Sequence, residues 1–343
     1  MRLTPVLTAA FIALPTLAAA QEPTTIRIGW NQSPGHMASL AYLKQMQPDG
    51  EYKVLQNYGK TYLADPIRFQ GSTHQITALA TDEVDVAALS AVALVQAVNN
   101  ANLDVKVIAD VLQETCEDGT YTQAWYVRTD SGIASPEDLR GKRIGTNAIG
   151  SASDMAIRAV LRNADIADSE VTSVEMPFGQ MPSFLEEDKV DMVGLLPAFE
   201  QEISRDENYK VLFTMCDALG PTQTVALVAK TDFIEANRDA LVDMMADHMR
   251  ATRWYYDPAN RDNALKLVAE TTGAPVEEFG DWLFSLEKDQ NRNQDLMPSV
   301  EGLQNAIDKS VEFGIIQAGL DGPAADYVDT SVIEDARKQV EGQ

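Results

Sequence analysis

The sequence predicts an α/β protein of two similar lobes. Mainly parallel sheets are joined by two crossing strands, with a cleft between the lobes and a helical C-terminal tail on lobe one. The first observation is that three short patterns occur twice, in the same order. Arg27-Ile28-Gly29-Trp30-Asn31 returns as Arg143-Ile144-Gly145-Thr146-Asn147. The run Leu79, then Asp82-Glu83-Val84-Asp85-Val86, returns as Leu185, then Asp188-Lys189-Val190-Asp191-Met192. Cys116, five residues, then Thr122-Gln123 returns as Cys216, five residues, then Thr222-Gln223. The offsets fall from 116 (27 to 143) to 106 (79 to 185) to 100 (116 to 216), as two copies of one unit with shorter loops in the second would give. The second observation is the alternation of short β-branched runs with helical stretches, the pattern of parallel sheets.

In chain order, Ile26 to Trp30 is the first strand. Asn31 to Gly35 is a loop with Pro34-Gly35 as its turn. His36 to Gln45 reads as helical, and Lys53 to Gln56 as a second strand. Gly71-Ser72-Thr73 opens a helix ending near Thr81. Val84 to Leu89 and Val105 to Val111 are further strands. Ala124 to Arg128 is the first crossing strand. Ser135-Pro136-Glu137-Asp138 starts a short helix, with Ser as cap, Pro in the first turn and acids at the positive end. Lys142 to Asn147 begins the second lobe, followed by a helix from about Ala152 to Asn163. Val171 to Met176, Val190 to Leu195 and Val211 to Met215 are strands. Thr224 to Lys230 crosses back. From Phe233 onward the chain is mostly helical, with one long amphipathic stretch from Ile234 to Tyr256. The expected division is 1–20 leader, 21–123 lobe one, 124–226 lobe two, and 227–343 the return to lobe one with the tail.

Residues 1–20 read as a cleavable secretory signal. Arg2 supplies the positive start, Val6 to Leu17 the apolar stretch, and Ala18-Ala19-Ala20 the small-residue site. No Cys follows that site, so no lipid anchor is expected, and no later apolar run is long enough to insert in a membrane. The chain has 343 residues, 45% of them apolar, enough for two domains with cores. Its formal charge is −25, from 52 acidic and 27 basic residues. That surface excludes nucleic acid and anionic membranes as natural partners. Two Cys in an exported chain permit a disulfide. Cys116 and Cys216 occupy equivalent points before crossing strands that lie side by side, so a bridge is expected. The alternative is two buried thiols in separate lobes.

Ligands of open parallel sheets sit beyond the carboxyl ends of the strands. That rule selects the loops starting at Trp30, Gly71, Asn147 and Leu196. Two of them run into helices that begin with hydroxyls, Ser72-Thr73 and Ser151 with Ser153. A helix start offers free N–H groups and partial positive charge, so it can hold an oxyanion without Lys or Arg. The same hydroxyls also serve simply as caps. Trp30 could stack on a planar ligand or pack in the core, and His36 could donate to an anion or sit on the surface. Asp154 and Glu200 start helices at the cleft, where a carboxylate either complements the helix dipole or meets a ligand ammonium. Phe199 lies beside Glu200. No G-x-S-x-G, H-E-x-x-H or P-loop occurs, and three scattered His make no metal cluster. No cofactor, metal or enzymatic role is therefore expected.

Several stretches resemble the periplasmic substrate-binding proteins of ABC importers, in the branch of alkanesulfonate, taurine, nitrate and thiamine-pyrimidine binders. They are Ile26 to Trp30, "LATDEVDV" at Leu79 to Val86, "DLRGKRIG" at Asp138 to Gly145, and "DKVDMVGLLP" at Asp188 to Pro197. The likeness covers roughly Thr24 to Lys230. It implies the type II periplasmic-binding fold, a cleft that closes on one small ligand, and docking on a membrane permease. By resemblance, Trp30, Asn31, His36, Ser72, Thr73, Ser90, Ser151, Ser153 and Glu200 are ligand candidates. The Trp30 to His36 spacing resembles the W-x5-H loop of the pyrimidine-precursor binders, but Ser33-Pro34 and Gly35 depart from it. The Cys-rich run of the related pyrimidine synthases is absent. The paired hydroxyl-rich helix starts suit a sulfonate such as taurine, and a planar heterocycle on Trp30 is the alternative.

Overall fold

The computed structural model describes residues 22–117, 120, 122–280, 282–289, 292–319 and 322–342. The expected leader at 1–20 lies outside the described residues. Ten strands follow one another: β1 (Thr24–Trp30), β2 (Tyr62–Arg68), β3 (Val86–Leu89), β4 (Val105–Glu114), β5 (Ala124–Arg128), β6 (Arg143–Thr146), β7 (Thr172–Glu175), β8 (Met192–Leu195), β9 (Tyr209–Thr214) and β10 (Thr222–Lys230). They form two five-stranded sheets, β2-β1-β3-β10-β4 and β7-β6-β8-β5-β9. The first three strands of each are parallel. In each, a strand arriving from the other sheet enters antiparallel between the third and the last: β10 in the first sheet, β5 in the second. The second sheet therefore repeats the first, position for position.

The doubled sequence patterns turn out to bond to each other. The Arg27 N and Nε donate to Asp85 Oδ2 at 2.8 and 2.9 Å, and Asp85 N returns a bond to the Arg27 carbonyl at 2.9 Å. In the second copy, Arg143 N and Nε donate to Asp191 Oδ2 at 2.7 and 3.0 Å, and Asp191 N bonds the Arg143 carbonyl at 2.8 Å. Each clasp ties β1 to β3, or β6 to β8, near the strand starts and so away from the cleft. Both arginines are partly exposed, so solvent screens each clasp and it contributes little to stability. Its value is register. Asp82 and Asp188, at the same point of the two copies, both take positive φ in the preceding turn (57° and 54°), a conformation Asp tolerates better than most residues.

Three apolar clusters form the interior. One lies between the first sheet and the tail, with Leu241, Met245 and Tyr255 of the helix Arg238–Tyr256 packed with Ile26, Ile28 and Val86. A second runs across both halves through Leu94, Met155 and Leu303, from the helices Ala91–Asn99, Ala152–Asn163 and Val300–Glu312. The third covers the second sheet with Met181 and Leu185. No helix among the described residues is long and apolar enough to cross a membrane.

The strand expected at Lys53 to Gln56 does not form. Val54 and Leu55 instead give their N–H groups to the Met46 carbonyl at 2.9 Å, and the buried Asp247 accepts those of Gln56 and of the following Asn57 and Tyr58 at 2.8 to 3.1 Å. The true second strand, β2, contains Pro66, which has no N–H to give; it is tolerated because β2 is an edge. The helix expected over His36 to Gln45 is only Ala38–Ala41 plus one 3-10 turn at Lys44–Met46. The long tail helix breaks at Asn237 into Thr231–Ala236 and Arg238–Tyr256.

Candidate functional site

A cavity of about 110 Å³ lies between the two sheets, at the carboxyl ends of the parallel strands. Lobe one brings the loop Asn31 to His36 after β1, Ser72 at a helix start, and Gln113 and Glu114 at the end of β4. The second half brings Gln123 before β5, Asn147 after β6, Ser151 to Ser153 at a helix start, and Leu196 after β8. Trp282, Asp289 and Arg292 come from the tail. The walls are mostly apolar, with Leu112, Phe178, Met215 and Val225 among them.

Arg292 organises the β1 loop. Its Nη2 donates to the Pro34 carbonyl and its Nε to the Gly35 carbonyl, both at 3.1 Å. Its Nη1 donates to Asp289 Oδ2 at 2.6 Å and to the Tyr256 hydroxyl at 3.2 Å. Burial alone would lower the guanidinium's pKa, but Asp289 and Tyr256 outweigh it, so Arg292 stays charged. His36, 4% exposed, is pushed down to about 3 by burial and then by Arg292, so its imidazole is neutral. Its Nδ1 accepts weakly from Asn31 N at 3.4 Å. The Asn31 side chain in turn accepts from Gln75 Nε2. Behind this wall, burial pushes the Asp110 carboxyl up to about 7, against bonds from Gln223 and Asn293.

The halves are clasped over the cavity. Gln70 and Asn147 exchange side-chain-to-carbonyl bonds at 2.9 and 3.4 Å. Ser90 Oγ donates to the Gly150 carbonyl at 3.2 Å and Thr73 Oγ1 to that of Ile149 at 3.3 Å. Gly150 sits at φ +79°, and a Cβ there would lie 2.9 Å from Thr73, so the close approach needs glycine. Cys116 and Cys216 are joined by a disulfide that ties the β4–β5 connection to the β9–β10 connection.

The family profile described as NMT1/THI5 like matches residues 67–260, more than half of the chain and most of this site. The chain belongs to the NMT1/THI5-like family. Among curated proteins, none matches its sequence. Solved structures share the fold of this NMT1/THI5-like chain. The alkanesulfonate-binding protein SsuA of Xanthomonas axonopodis pv. citri, bound to MOPS, is 17% identical, with a TM-score of 0.66 over 90% of this chain and 99% of that one. The periplasmic nitrate-binding protein NrtA of Synechocystis PCC 6803 is 13% identical, with a TM-score of 0.69 over 95% and 91%. A DSZB mutant in complex with biphenyl-2-sulfinic acid is 13% identical, with a TM-score of 0.60 over 92% and 99%. At such identities the likeness is one of architecture.

Of the residues expected at the site, Asn31, His36, Ser72, Ser151 and Ser153 line the cavity. Trp30 does not: it packs at the edge of the lobe-one core, with the Arg68 guanidinium 5.7 Å over its ring. Strand alternation turns residue 30 of β1 away and leaves the following loop to face the cavity. Thr73 and Ser90 are in the inter-lobe clasp. Asp154 is held by Arg158 at 2.8 Å and by Gly150 N at 2.8 Å, bracing its own helix start. Glu200 accepts from the Tyr126 hydroxyl at 3.0 Å, and burial raises its pKa. Phe199 stacks on Phe178, one layer behind the cavity.

Sequence reasoning missed Glu114, Gln123, Asn147, Asp289 and Arg292. Asn147 and Gln123 had a signal, since both sit in the doubled patterns and Asn147 is the counterpart of Asn31. Asp289 and Arg292 had none beyond their i, i+3 spacing.

Proposed function

We propose that this NMT1/THI5-like chain is a periplasmic solute-binding protein that delivers a small organic anion or zwitterion to an ABC importer. A sulfonate such as taurine heads the candidates, and the protein binds without turning its ligand over. The observation that carries this reading is the small cavity enclosed between two copies of one sheet unit, with hydroxyl-bearing helix starts entering from both. Its volume is well below the roughly 300–1,000 Å³ of drug-sized sites, which favours a solute of few atoms. The structural neighbours named above include proteins bound to MOPS or to a sulfinic acid and a nitrate-binding protein, and each of these molecules is or carries an oxyanion.

In this mechanism the half built on the first sheet and the half built on the second open about the β4–β5 and β9–β10 connections; β10 belongs to the first sheet, so the expected boundary after residue 226 moves back to the β9–β10 connection. Opening breaks the Gln70–Asn147, Ser90–Gly150 and Thr73–Ile149 bonds. Such neutral bonds are worth about 0.5–1.5 kcal/mol each, so the empty protein is not locked shut. A ligand that touches both lobes shifts the population towards the closed form, which the permease then recognises.

The test is a thermal-shift and calorimetric screen against sulfonates, carboxylates, pyrimidines and amines. Stabilisation by small sulfonates or amino acids supports the reading. A response to pyrimidines alone would sink it, and chemical turnover of a bound ligand would sink the non-enzymatic part.

A further inference from the structure

A second hollow adjoins the cavity. It is a groove of about 280 Å³, lined by Arg68, Phe69 and Gln70 of the first half and Pro177 of the second. Arg68 and Gln70 are exposed, so the groove is open to solvent. Cavity and groove share three lining residues, Asn31, Gln32 and Phe178. The Gln70–Asn147 clasp crosses the same boundary, since Gln70 lines the groove and Asn147 the cavity. Of the three shared residues, Phe178 alone is apolar.

The ring of Phe178 is fixed from behind. It is 8% exposed and belongs to the apolar cluster over the second sheet, with Met181 and Leu185. Phe199 stacks on it, with ring centroids 6.4 Å apart and planes 9° from parallel. Its backbone starts the 3-10 turn Phe178–Gln180, which follows Pro177 and is closed by the Gln180 N–H on the Pro177 carbonyl at 2.9 Å. Pro177 fixes its own φ, so the entry to this turn is stiff. A ring packed in this way cannot swing aside without leaving a void.

The cavity wall has two characters. The hydroxyls of Ser72, Ser151 and Ser153 suit an oxyanion, while Leu112, Met215 and Val225 join Phe178 in an apolar surface. An inorganic ion would leave that surface without contacts, whereas a hydrocarbon group fills it. A chain that outgrows the cavity on this side meets the Phe178 ring before it reaches the groove.

We propose that Phe178 sets the length of solute the site accepts: its ring ends the cavity on the groove side, admitting a short hydrocarbon chain and refusing a longer one. This rests on the solute-binding reading and deepens it.

The experiment is titration calorimetry with n-alkanesulfonates and n-alkanoates of two to eight carbons, each also in its ω-amino form. In the wild type, affinity rises about fourfold with each CH2 that the cavity can bury. It then drops about tenfold or more at the length that collides with Phe178. Phe178→Ala joins the cavity to the groove and moves the best-bound length up by about two carbons or more. Phe178→Leu moves it in the same direction by less, and keeps the test open if the Ala variant does not fold. General damage to the site would instead weaken every length alike. A wild-type profile that tightens up to the longest homologue, or an optimum unmoved in a folded variant, overturns the role of Phe178 and leaves the solute-binding reading intact. Absence of binding in every series overturns the solute-binding reading, and this inference with it.

Discussion

Replacing Arg292 with Met should unseat the β1 loop and expose how the tail supports the site. The side chains of Arg292 and Asp289 are 5% and 4% exposed, so water cannot replace what is lost. The substitution keeps the apolar stem but deletes the donors to Asp289, Tyr256, Pro34 and Gly35. Among the described residues, Asp289 then keeps the bond from Phe284 N at 2.9 Å and no counter-charge. Breaking a buried pair in this way costs about 3–5 kcal/mol. At roughly 2 °C or a little more per kcal/mol in a chain of this size, the melting temperature falls by about 6–12 °C. Urea unfolding of the ligand-free protein gives the free energy, and scanning calorimetry the temperature. Adding Asp289→Asn to Arg292→Met should recover about 2 kcal/mol, because the stranded charge is the larger part of the penalty. Titration of the double variant should still show weakened ligand binding, since Pro34 and Gly35 remain unsupported. A loss below about 1 kcal/mol in Arg292→Met, or a further loss on adding Asp289→Asn, would refute this account.

Two further outcomes follow from the same structure. His36 sits near 3 when folded and near 6.5 when unfolded, so the unfolded chain takes the proton first. Stability is therefore whole above pH 6.5 and falls as pH drops towards 3, by ~2 kcal/mol for this group between pH 6.5 and 5. His36→Gln should lose that much less than the wild type over this interval in urea unfolding, with His248 and Asp110 cancelling in the comparison; equal losses would contradict it. The Cys116–Cys216 bridge closes a sequence separation of 100 residues. Changing both to Ser should cost about 2–4 kcal/mol by the same assay, and a change within experimental error would remove the bridge from the account of stability.

The doubled patterns were legible because they are local. R-I-G and D-x-V-D are short runs whose roles, starting a strand and turning into the next, are set by neighbours in the chain, and the Arg–Asp clasps repeat because both copies carry both partners. The helix Ala152–Asn163, strand β5 and the hydroxyls at Ser72 and Ser151 were legible for the same reason. The false strand at Lys53 to Gln56 shows the limit. Its apolar pattern was real, but the Val54 and Leu55 N–H groups go to the Met46 carbonyl and that of Gln56 to Asp247, 191 residues on, and no local rule sees the second bond. Trp30 shows another: the sequence puts an aromatic at a strand end, and only the pleat decides which face it takes.

The sequence by itself determined the two-lobe α/β plan, the doubled unit, the candidate loops and the permitted disulfide, because periodicity, caps and repeats are short-range properties of the chain. The tertiary structure alone decided the site's charge. Arg292 and Asp289 arrive from the tail more than 250 residues after the loop they brace, and Glu114 and Gln123 meet the cavity only because the two connections between the sheets run side by side. Electrostatics depends on distance and burial in space, so the charge of the cavity wall had to wait for the fold.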